Sequence, residues 1–268
     1  MKKSVTKLNA VIGYPLSHTQ SPMLHNPVYK MLGIDALLLP FPSPDIRALV
    51  KAIRTLPVHL TAVTMPHKQS IIPLLDHVDA PAKAVGAVNT VVNKSGKLSG
   101  YNTDIDGIRY ALRTVKLKGT YVALIGAGGA ASAVAYVVHE KGGKLLYLNR
   151  TVRKATDLSR KFGGEVLNGA KGIERAGVII NATPIGMHPR TRELPISADA
   201  IRKGQTVFDL VYNPVDTKLL RVAGRKGAKT VSGLDMFAVQ GLRQMELWTG
   251  KKIITKRLVD RVKRNILK

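Results

Sequence analysis

A glycine-rich segment near the middle of the chain has the residue types of a phosphate-binding turn. An apolar run from Tyr121 to Ile125 leads into Gly126-Ala127-Gly128-Gly129-Ala130-Ala131, which matches the pattern Gly-x-Gly-x-x-Ala. The first glycine allows a tight turn, the second lets the backbone approach a pyrophosphate, and the small residue at 131 allows close packing of helix on strand. Because amides at a helix N-terminus attract anions, the segment predicts dinucleotide binding by residues 126–130. A purely structural glycine turn is the alternative.

The residues after the next apolar run indicate which dinucleotide binds. The run from Lys144 to Leu148 precedes Asn149, Arg150 and Thr151, at the position where an NAD-selective site presents Asp or Glu to the ribose 2′-hydroxyl. Arg150 instead offers a planar set of donors suited to a 2′-phosphate, and Lys154 lies nearby. The pattern therefore favours NADP over NAD. The alternative is a solvated basic turn.

A dinucleotide that transfers hydride to a carbonyl needs an acid–base group beside it. Two candidates follow apolar segments in the first part of the chain: Lys68, at the end of Thr64-Met65-Pro66-His67-Lys68, and Asp104. A carboxylate can orient an ammonium group, which can then donate a proton to an alkoxide. Spacing does not show that the two side chains meet, and each alone also fits an ordinary role, a solvated lysine or a helix N-cap.

The elements that must position these residues are predicted from the apolar pattern. Strand-length apolar runs alternate with helix-period stretches, which indicates βαβ units, parallel sheets and the α/β class. The predicted strands are Leu8 to Gly13, Ala36 to Phe41, Leu60 to Met65, Tyr121 to Ile125, Lys144 to Leu148, Gly177 to Asn181 and Thr206 to Val211. A hairpin is predicted at Thr90 to Tyr101, and a helix near Pro44 with Ser43 as its cap.

The last stretch, Ile253 to Leu267, predicts an amphipathic helix. Its apolar side carries Ile254, Leu258, Val259, Val262 and Ile266, and its other side is basic. Such a stripe must be buried, and packing against the first domain would bury it.

Composition restricts the class of protein further. The 268 residues carry 42 basic and 17 acidic side chains, a formal charge of +25, and no cysteine. The absence of cysteine excludes disulfides and thiolate metal sites and fits a cytoplasmic protein. No signal peptide follows Met1, no run is long enough to span a membrane, and the seven histidines show no metal-ligand spacing. The basic residues are spread along the chain without interleaved aromatics, so a basic surface is favoured over nucleic-acid binding.

Short motifs follow one another over nearly the whole chain. They are residues 13–26 (GYPLSHTQSPMLHN), 63–68 (VTMPHK), 86–90 (GAVNT), 100–104 (GYNTD), the glycine turn, 149–151 (NRT), 181–187 (NATPIGM), 209–214 (DLVYNP) and 233–236 (GLDM). In this order they resemble the shikimate dehydrogenase family. The resemblance implies reversible, NADPH-dependent reduction of 3-dehydroshikimate to shikimate, in the pathway to chorismate and the aromatic amino acids. It also implies a two-domain α/β fold: an open-sheet catalytic domain at 1–104, a Rossmann-type NADP domain at 105–235, and helices at 236–268 that return to the catalytic domain.

The resemblance also implies residue roles. Lys68 is the proton-transferring group and Asp104 its hydrogen-bonded partner. The implied substrate contacts are Thr19, Ser21, Thr64, Asn89, Tyr212 and Gln240. The implied cofactor contacts are residues 126–130 of the glycine turn (Gly126, Ala127, Gly128, Gly129, Ala130) with Asn149, Arg150, Thr151, Lys154, Thr183, Met187 and Gly233. Hydroxyl and amide side chains suit a small polyhydroxy acid, whose polar groups would otherwise be left unpaired.

Three positions depart from the family pattern. Thr19 stands where Ser is usual, which leaves the preference between shikimate and quinate open. Pro184 replaces a residue that is more often Ser, and His67 stands where Phe is commoner. We expect the His67 ring to be partly exposed and to pack on its loop; tuning of Lys68 is the alternative.

The sequence alone is also compatible with other functions. The alternatives are a dehydrogenase that uses both quinate and shikimate, a polyanion-binding module, and a non-catalytic NADP sensor. The sequence is compatible with either a monomer or a homodimer.

Overall fold

The computed structural model describes residues 5–17 and 19–267. They form two six-stranded sheets, and the chain divides into two compact units, Met1–Thr103 with Ala238–Lys268 and Asp104–Phe237. The predicted α/β class is confirmed. His18 and residues 1–4, on which part of the signal-peptide prediction depends, lie outside the described residues.

The first unit is built on a mixed sheet. Its strands are β1 (Lys7–Gly13), β2 (Ala36–Pro42), β3 (Val58–Val63), β4 (His77–Val78), β5 (Thr90–Lys94) and β6 (Lys97–Tyr101), in the order β2-β1-β3-β5-β6-β4. Its helices are α1 (Ser21–Met31), α2 (Ile46–Thr55), α3 (His67–Ser70), α4 (Ala80–Val85) and the C-terminal α10 (Lys256–Ile266). The strands β1, β2 and β3 are parallel, and the predicted hairpin is confirmed as the antiparallel pair β5 and β6.

Local details of the first unit differ from the prediction: β3, predicted at Leu60 to Met65, spans Val58–Val63, and two helices begin differently. The cap of α2 is Asp45, whose carboxylate accepts from the amides of Arg47 and Ala48 at 2.9 and 3.0 Å; the Ser43 hydroxyl accepts from the Asp45 amide instead. The C-terminal helix begins at Lys256, so Ile254 precedes it. Its other four apolar residues are buried, and α10 packs against α1.

The second unit is a parallel sheet with helices between its strands. The strands are β7 (Tyr121–Ile125), β8 (Lys144–Leu148), β9 (Glu165–Val166), β10 (Val178–Asn181), β11 (Thr206–Asp209) and β12 (Lys229–Ser232). The helices are α5 (Asp104–Ala111), α6 (Gly129–Glu140), α7 (Val152–Phe162) and α8 (Lys218–Arg225), and α9 (Gly233–Thr249) contains the boundary between the units. The predictions for β7 and β8 are correct at every residue, whereas β11 ends two residues earlier than expected.

The strand order of the second unit determines where a ligand can bind. The order is β12-β11-β10-β7-β8-β9, so the chain moves outward in one direction from β7 through β8 to β9 and then in the other from β10 to β12. This is the doubly wound arrangement of dinucleotide-binding folds, which bind ligands beyond the carboxyl ends of the strands where the direction changes. That point lies between β7 and β10, and the glycine turn follows β7 directly.

Candidate active site

The glycine turn has the backbone geometry that its sequence predicts. Gly126 has φ +109°, and a Cβ atom there would lie 3.1 Å from the backbone of Ala182, so only glycine fits without strain. Gly128 is exposed, and no atom lies within 4 Å of a Cβ built on it. Because Gly128 is the N-cap of α6 and has no side chain, the first-turn amides have room for an external anion. Ala131, fully buried, is the small residue that the close helix packing requires.

The basic residues after β8 lie at the same edge of the sheet. Arg150, Arg153 and Lys154 are exposed, and none of them forms an ion pair with any residue in the described ranges. The Asn149 side chain donates to the Thr151 carbonyl at 2.9 Å, which shapes the turn into α7. An unneutralised guanidinium beside a dinucleotide turn fits the 2′-phosphate of NADP.

A second loop at this edge is held by buried polar side chains. Asn181, the last residue of β10, is fully buried. Its Oδ1 accepts from both the amide and the hydroxyl of Thr183, at 3.0 and 2.7 Å, and its Nδ2 donates to the carbonyl of Ile185 at 3.0 Å. Gly186 has φ +100°, and the half-buried Met187 follows. Asn181 therefore orders the segment that contains Thr183 and Met187, two of the predicted cofactor contacts.

Tyr212 and Asp104 both belong to the second unit, and the charge of Asp104 affects Tyr212. The Tyr212 ring stacks on Phe237 with centroids 4.0 Å apart and planes 11° apart. Burial, together with the negative charge of Asp104, raises the pKa of Tyr212 to about 12. Its hydroxyl therefore keeps its proton at neutral pH and can donate a hydrogen bond. Asp104, 4% exposed, is the first residue of α5.

Gly233 is fixed by close packing. It begins α9, and a Cβ atom on it would lie 2.4 Å from the carbonyl oxygen of Leu210. A side chain would therefore displace either α9 or the segment after β11.

Lys68 lies on α3, the short helix after β3 in the first unit. Its side chain is half-buried, and its backbone carbonyl accepts from the Val88 amide at 2.7 Å. The expectation for the neighbouring His67 is wrong: its ring is 2% exposed and its Nε2 lies 2.7 Å from the Ser43 carbonyl oxygen. The ring is buried because it holds α3 against the segment that enters α2.

Asn89 is the centre of a buried hydrogen-bond cluster in the first unit. Its Oδ1 accepts from the amide of Thr103 and the hydroxyl of Thr90, both at 2.8 Å. Its Nδ2 lies 3.4 Å from Oε1 of Gln240. The predicted substrate residues Asn89 and Gln240 are therefore brought together, although 151 positions separate them in the chain.

The remaining predicted substrate residues, Thr19, Ser21 and Thr64, lie in the segments that follow β1 and β3 of the same unit. The hydroxyl of Thr19 is 3.4 Å from the amide of Ser21, the first residue of α1, and both residues are half-buried. Thr64 follows β3, where its amide donates to the carbonyl of Ile12 on β1 at 2.9 Å. Thr64 therefore directly follows the carboxyl end of β3, and Thr19 and Ser21 lie where the segment after the neighbouring parallel strand β1 enters α1.

Sequence reasoning missed a set of buried polar residues behind this cluster. Gln244 on α9 donates to the Asn89 carbonyl at 3.2 Å. Its side chain also partly opposes the lowering of the His25 pKa by burial. His25 contacts Tyr29, which accepts from Asn9 at 2.9 Å. A histidine and a tyrosine four positions apart on a helix have no distinctive spacing, so nothing in the sequence marks this network.

The described residues contain no group of three or more His, Asp or Glu side chains that could hold a metal ion. Within the same ranges, no helix has the length and apolarity needed to cross a membrane.

Comparisons with known proteins show the family of the chain. Residues 11–91 match the family model described as the shikimate dehydrogenase substrate binding domain, and residues 109–217 match the model described as shikimate / quinate 5-dehydrogenase. The NADP(+) shikimate dehydrogenase of Carboxydothermus hydrogenoformans is 40% identical over 91% of this chain and 92% of the relative. The corresponding protein of Thermococcus kodakarensis is 41% identical over 94% of each.

Solved structures show the same fold. Shikimate dehydrogenase from Aquifex aeolicus superposes with a TM-score of 0.91 at 36% identity, over 98% of this chain and 100% of that one. The Thermus thermophilus enzyme, solved with NADP(H) and shikimate, has a TM-score of 0.87 at 32% identity, over 97% and 99%. Quinate dehydrogenase from Corynebacterium glutamicum, solved with NAD, also has a TM-score of 0.87, at 30% identity over 98% and 99%. The chain therefore belongs to the shikimate dehydrogenase family, as its motifs predict.

Proposed function

We propose that this protein is an NADP-dependent shikimate dehydrogenase that interconverts 3-dehydroshikimate and shikimate, on the route to chorismate and the aromatic amino acids. The observation that carries the proposal is the glycine turn at the switch point of the doubly wound sheet. After the next strand, Arg150 stands where an acidic residue would select NAD. Relatives at about 40% identity bear the NADP(+) shikimate dehydrogenase name.

The described residues fit the cofactor. The open space at Gly128 and the uncapped first turn of α6 suit a pyrophosphate. Arg150, with Lys154 close by, suits the 2′-phosphate, and the Thr183 to Met187 segment suits the nicotinamide end. When bound, NADPH supplies the hydride that reaches the ring ketone.

The chain itself handles the proton and the orientation of the substrate. We assign Lys68 the proton that the carbonyl oxygen takes up during reduction, with Asp104 as the carboxylate partner of the lysine. In the reverse direction Lys68 accepts the proton from the hydroxyl group. Thr19, Ser21, Thr64, Asn89, Tyr212 and Gln240 are proposed to bind the carboxylate and ring hydroxyls.

The hydrogen bonds within the first unit support this assignment. The side chain of Asn89 is held by Thr90 and Thr103, and Gln240 lies beside it. Two amide groups fixed in this way match the paired donors and acceptors of a polyhydroxy acid and would leave costly unpaired groups with a substrate that lacks its hydroxyls.

Parallel initial-rate assays test the function. We expect the purified protein to reduce NADP with shikimate, and to do so at a much lower kcat/KM with NAD. An assay with quinate beside the one with shikimate distinguishes a shikimate dehydrogenase from an enzyme that uses both acids. This alternative is tested because a quinate dehydrogenase has the same fold. If the protein reduces NADP with neither shikimate nor quinate, the proposal is overturned.

Three further predictions accompany this function. Biosynthetic use of NADPH fits a cytoplasmic enzyme. Nucleic acid is not an expected partner, because the basic residues are spread over the chain, and the assembly is expected to be a monomer or a homodimer.

A further inference from the structure

Asp209 is a fully buried carboxylate to which the proposed function gives no role. It is the last residue of β11 and 0% exposed. Buried carboxylates are costly unless they are hydrogen-bonded, so its presence between two parallel strands calls for a physical reason.

Three donors converge on this carboxylate. Its Oδ1 accepts from Nδ2 of Asn181 at 2.9 Å and from the amide of Val211 at 3.1 Å, and its Oδ2 accepts from the hydroxyl of Thr217 at 2.7 Å. All four residues are buried. An acceptor-only group satisfies all three donors at once, whereas an apolar residue would leave them unpaired.

Two of the three donors belong to segments that the proposed function uses, and the third caps a helix. Asn181 orders the loop that contains Thr183 and Met187. Val211 directly precedes Tyr212. Thr217 is the N-cap of α8, where its hydroxyl also accepts from the amide of Leu220 at 3.3 Å. One side chain therefore joins the cofactor loop after β10 to the segment after β11 that carries a proposed substrate residue.

We propose that Asp209 is a positioning residue that holds the 182–187 loop and the Tyr212 segment in a single arrangement, so that cofactor and substrate recognition in the second unit depend on one carboxylate. The inference rests on the proposed function, because that function gives the two segments their ligands.

The electrostatics agree with an ionised acceptor at neutral pH. Burial raises the pKa of Asp209 to about 6, and the hydrogen bonds from Thr217, Val211 and Asn181 oppose that rise. The charged residues on the elements packed against β11 are Lys218, Arg221 and Arg225 on α8 and Lys229 on β12. Within the described residues, none of them is among the causes of the shift.

Two substitutions at one position test the role. Asp209→Asn keeps one oxygen for Asn181 and Val211 and turns an amide donor toward the Thr217 oxygen. Asp209→Ala removes every acceptor. We expect Asp209→Ala to raise the KM for NADP and the KM for shikimate together, each at least about tenfold, while Asp209→Asn stays within about threefold of wild type for both.

The pattern of constants separates positioning from general stability. Asp199→Ala is the matched control, because Asp199 is an exposed aspartate of the same unit that pairs with Lys226 at 3.7 Å, and its constants should not change. A rise in only one KM, unchanged constants in Asp209→Ala, or equal damage from Asn and Ala would overturn the inference. Wild-type enzyme that fails to reduce NADP refutes the proposed function instead, so the two failures are distinct.

A second pair of variants covers the case in which Asp209→Ala does not fold. Thr217→Val removes one of the three donors while keeping the shape of the side chain. Thr217→Ser keeps the hydroxyl donor and removes only the methyl group. Both KM values should rise at least about threefold in Thr217→Val and return to the wild-type values in Thr217→Ser. If Thr217→Val and Thr217→Ser have the same KM values, the role of Asp209 is contradicted.

Discussion

The Nδ1 atom of His25 lies 3.0 Å from the hydroxyl oxygen of Tyr29, and the two residues are 1% and 0% exposed. Asn9 donates to the same hydroxyl oxygen from its Nδ2. In the neutral tautomer with its proton on Nε2, the Nδ1 atom of His25 accepts from the Tyr29 hydroxyl. Burial lowers the pKa of His25 to about 3, although the Gln244 side chain partly offsets this effect.

This neutral histidine predicts acid sensitivity of the first unit. The unfolded chain takes up a proton near the ordinary histidine pKa of 6.5, whereas the folded chain resists until about 3. The free energy of unfolding should therefore fall as the pH decreases from 6.5 toward 3, by at most roughly 5 kcal/mol from this group. His25→Gln should reduce that slope in denaturant titrations followed by the fluorescence of Trp248, the only tryptophan, which packs edge-on against Tyr29.

The control for this prediction is His77→Gln. His77 is an exposed histidine of the same unit, and its replacement should leave the slope unchanged. Identical slopes in wild type and His25→Gln would show that His25 does not titrate as described.

Alanine at Gly128 and at Gly126 should separate effects on cofactor binding from effects on folding. A Cβ atom at position 128 would meet no protein atom within 4 Å, and the backbone there has an ordinary φ of −89°. The free energy of unfolding of the cofactor-free protein should therefore change by less than about 0.5 kcal/mol in Gly128→Ala. Its methyl group would occupy the space assigned to the pyrophosphate, so we expect the dissociation constant of NADPH to rise at least about tenfold.

Gly126→Ala should act on the fold as well. The positive φ and the 3.1 Å approach to Ala182 should cost about 1–3 kcal/mol of stability in the absence of cofactor. Differential scanning calorimetry and NADPH titration measure the two effects. The glycine assignments fail if both alanine variants unfold like wild type and bind NADPH equally well.

Arg150 should determine the preference for NADP over NAD. Replacement by Ala removes a charge-assisted donor from the proposed 2′-phosphate site, so the KM for NADP should rise about 10- to 100-fold while the KM for NAD changes little. Arg160→Ala is the matched control, because Arg160 is also exposed and lies on α7, 3.8 Å from Asp157. Equal changes in the KM values for NADP and NAD would show that Arg150 does not bind the 2′-phosphate.

Lys68→Ala should separate chemistry from cofactor binding. Loss of a positioned proton donor typically lowers turnover about 10²- to 10⁴-fold, so kcat with shikimate should fall by this amount. The dissociation constant of NADPH should stay within about threefold of wild type. Lys83→Ala, an exposed lysine on α4 of the same unit, should leave both values unchanged. Near-normal turnover of Lys68→Ala would exclude the lysine from the mechanism.

Local features of the fold were predictable because they depend on short stretches of chain. The apolar runs of β7 and β8 match at every residue, since buried parallel strands need a continuous run of apolar side chains. Gly126 was identified because only glycine permits its backbone geometry, and Gly128 because a residue without a side chain leaves the surface open to a ligand.

The burial of polar residues was not predictable in this way. His67 was expected to be partly exposed, yet its ring is buried against the Ser43 carbonyl. Asp209 and His25 were not singled out as part of any buried network, although each has a hydrogen-bond partner distant in the chain or on another turn of helix.

The sequence by itself determined the family, the α/β class, the glycine turn and the basic residue that favours NADP, because neighbouring residues carry these signals. The tertiary structure decided which polar side chains are buried, how Asn89 meets Gln240, and how Asp209 joins two loops. Desolvation and hydrogen bonding depend on what packs over a residue, and that packing is set by strands and helices far away in the chain.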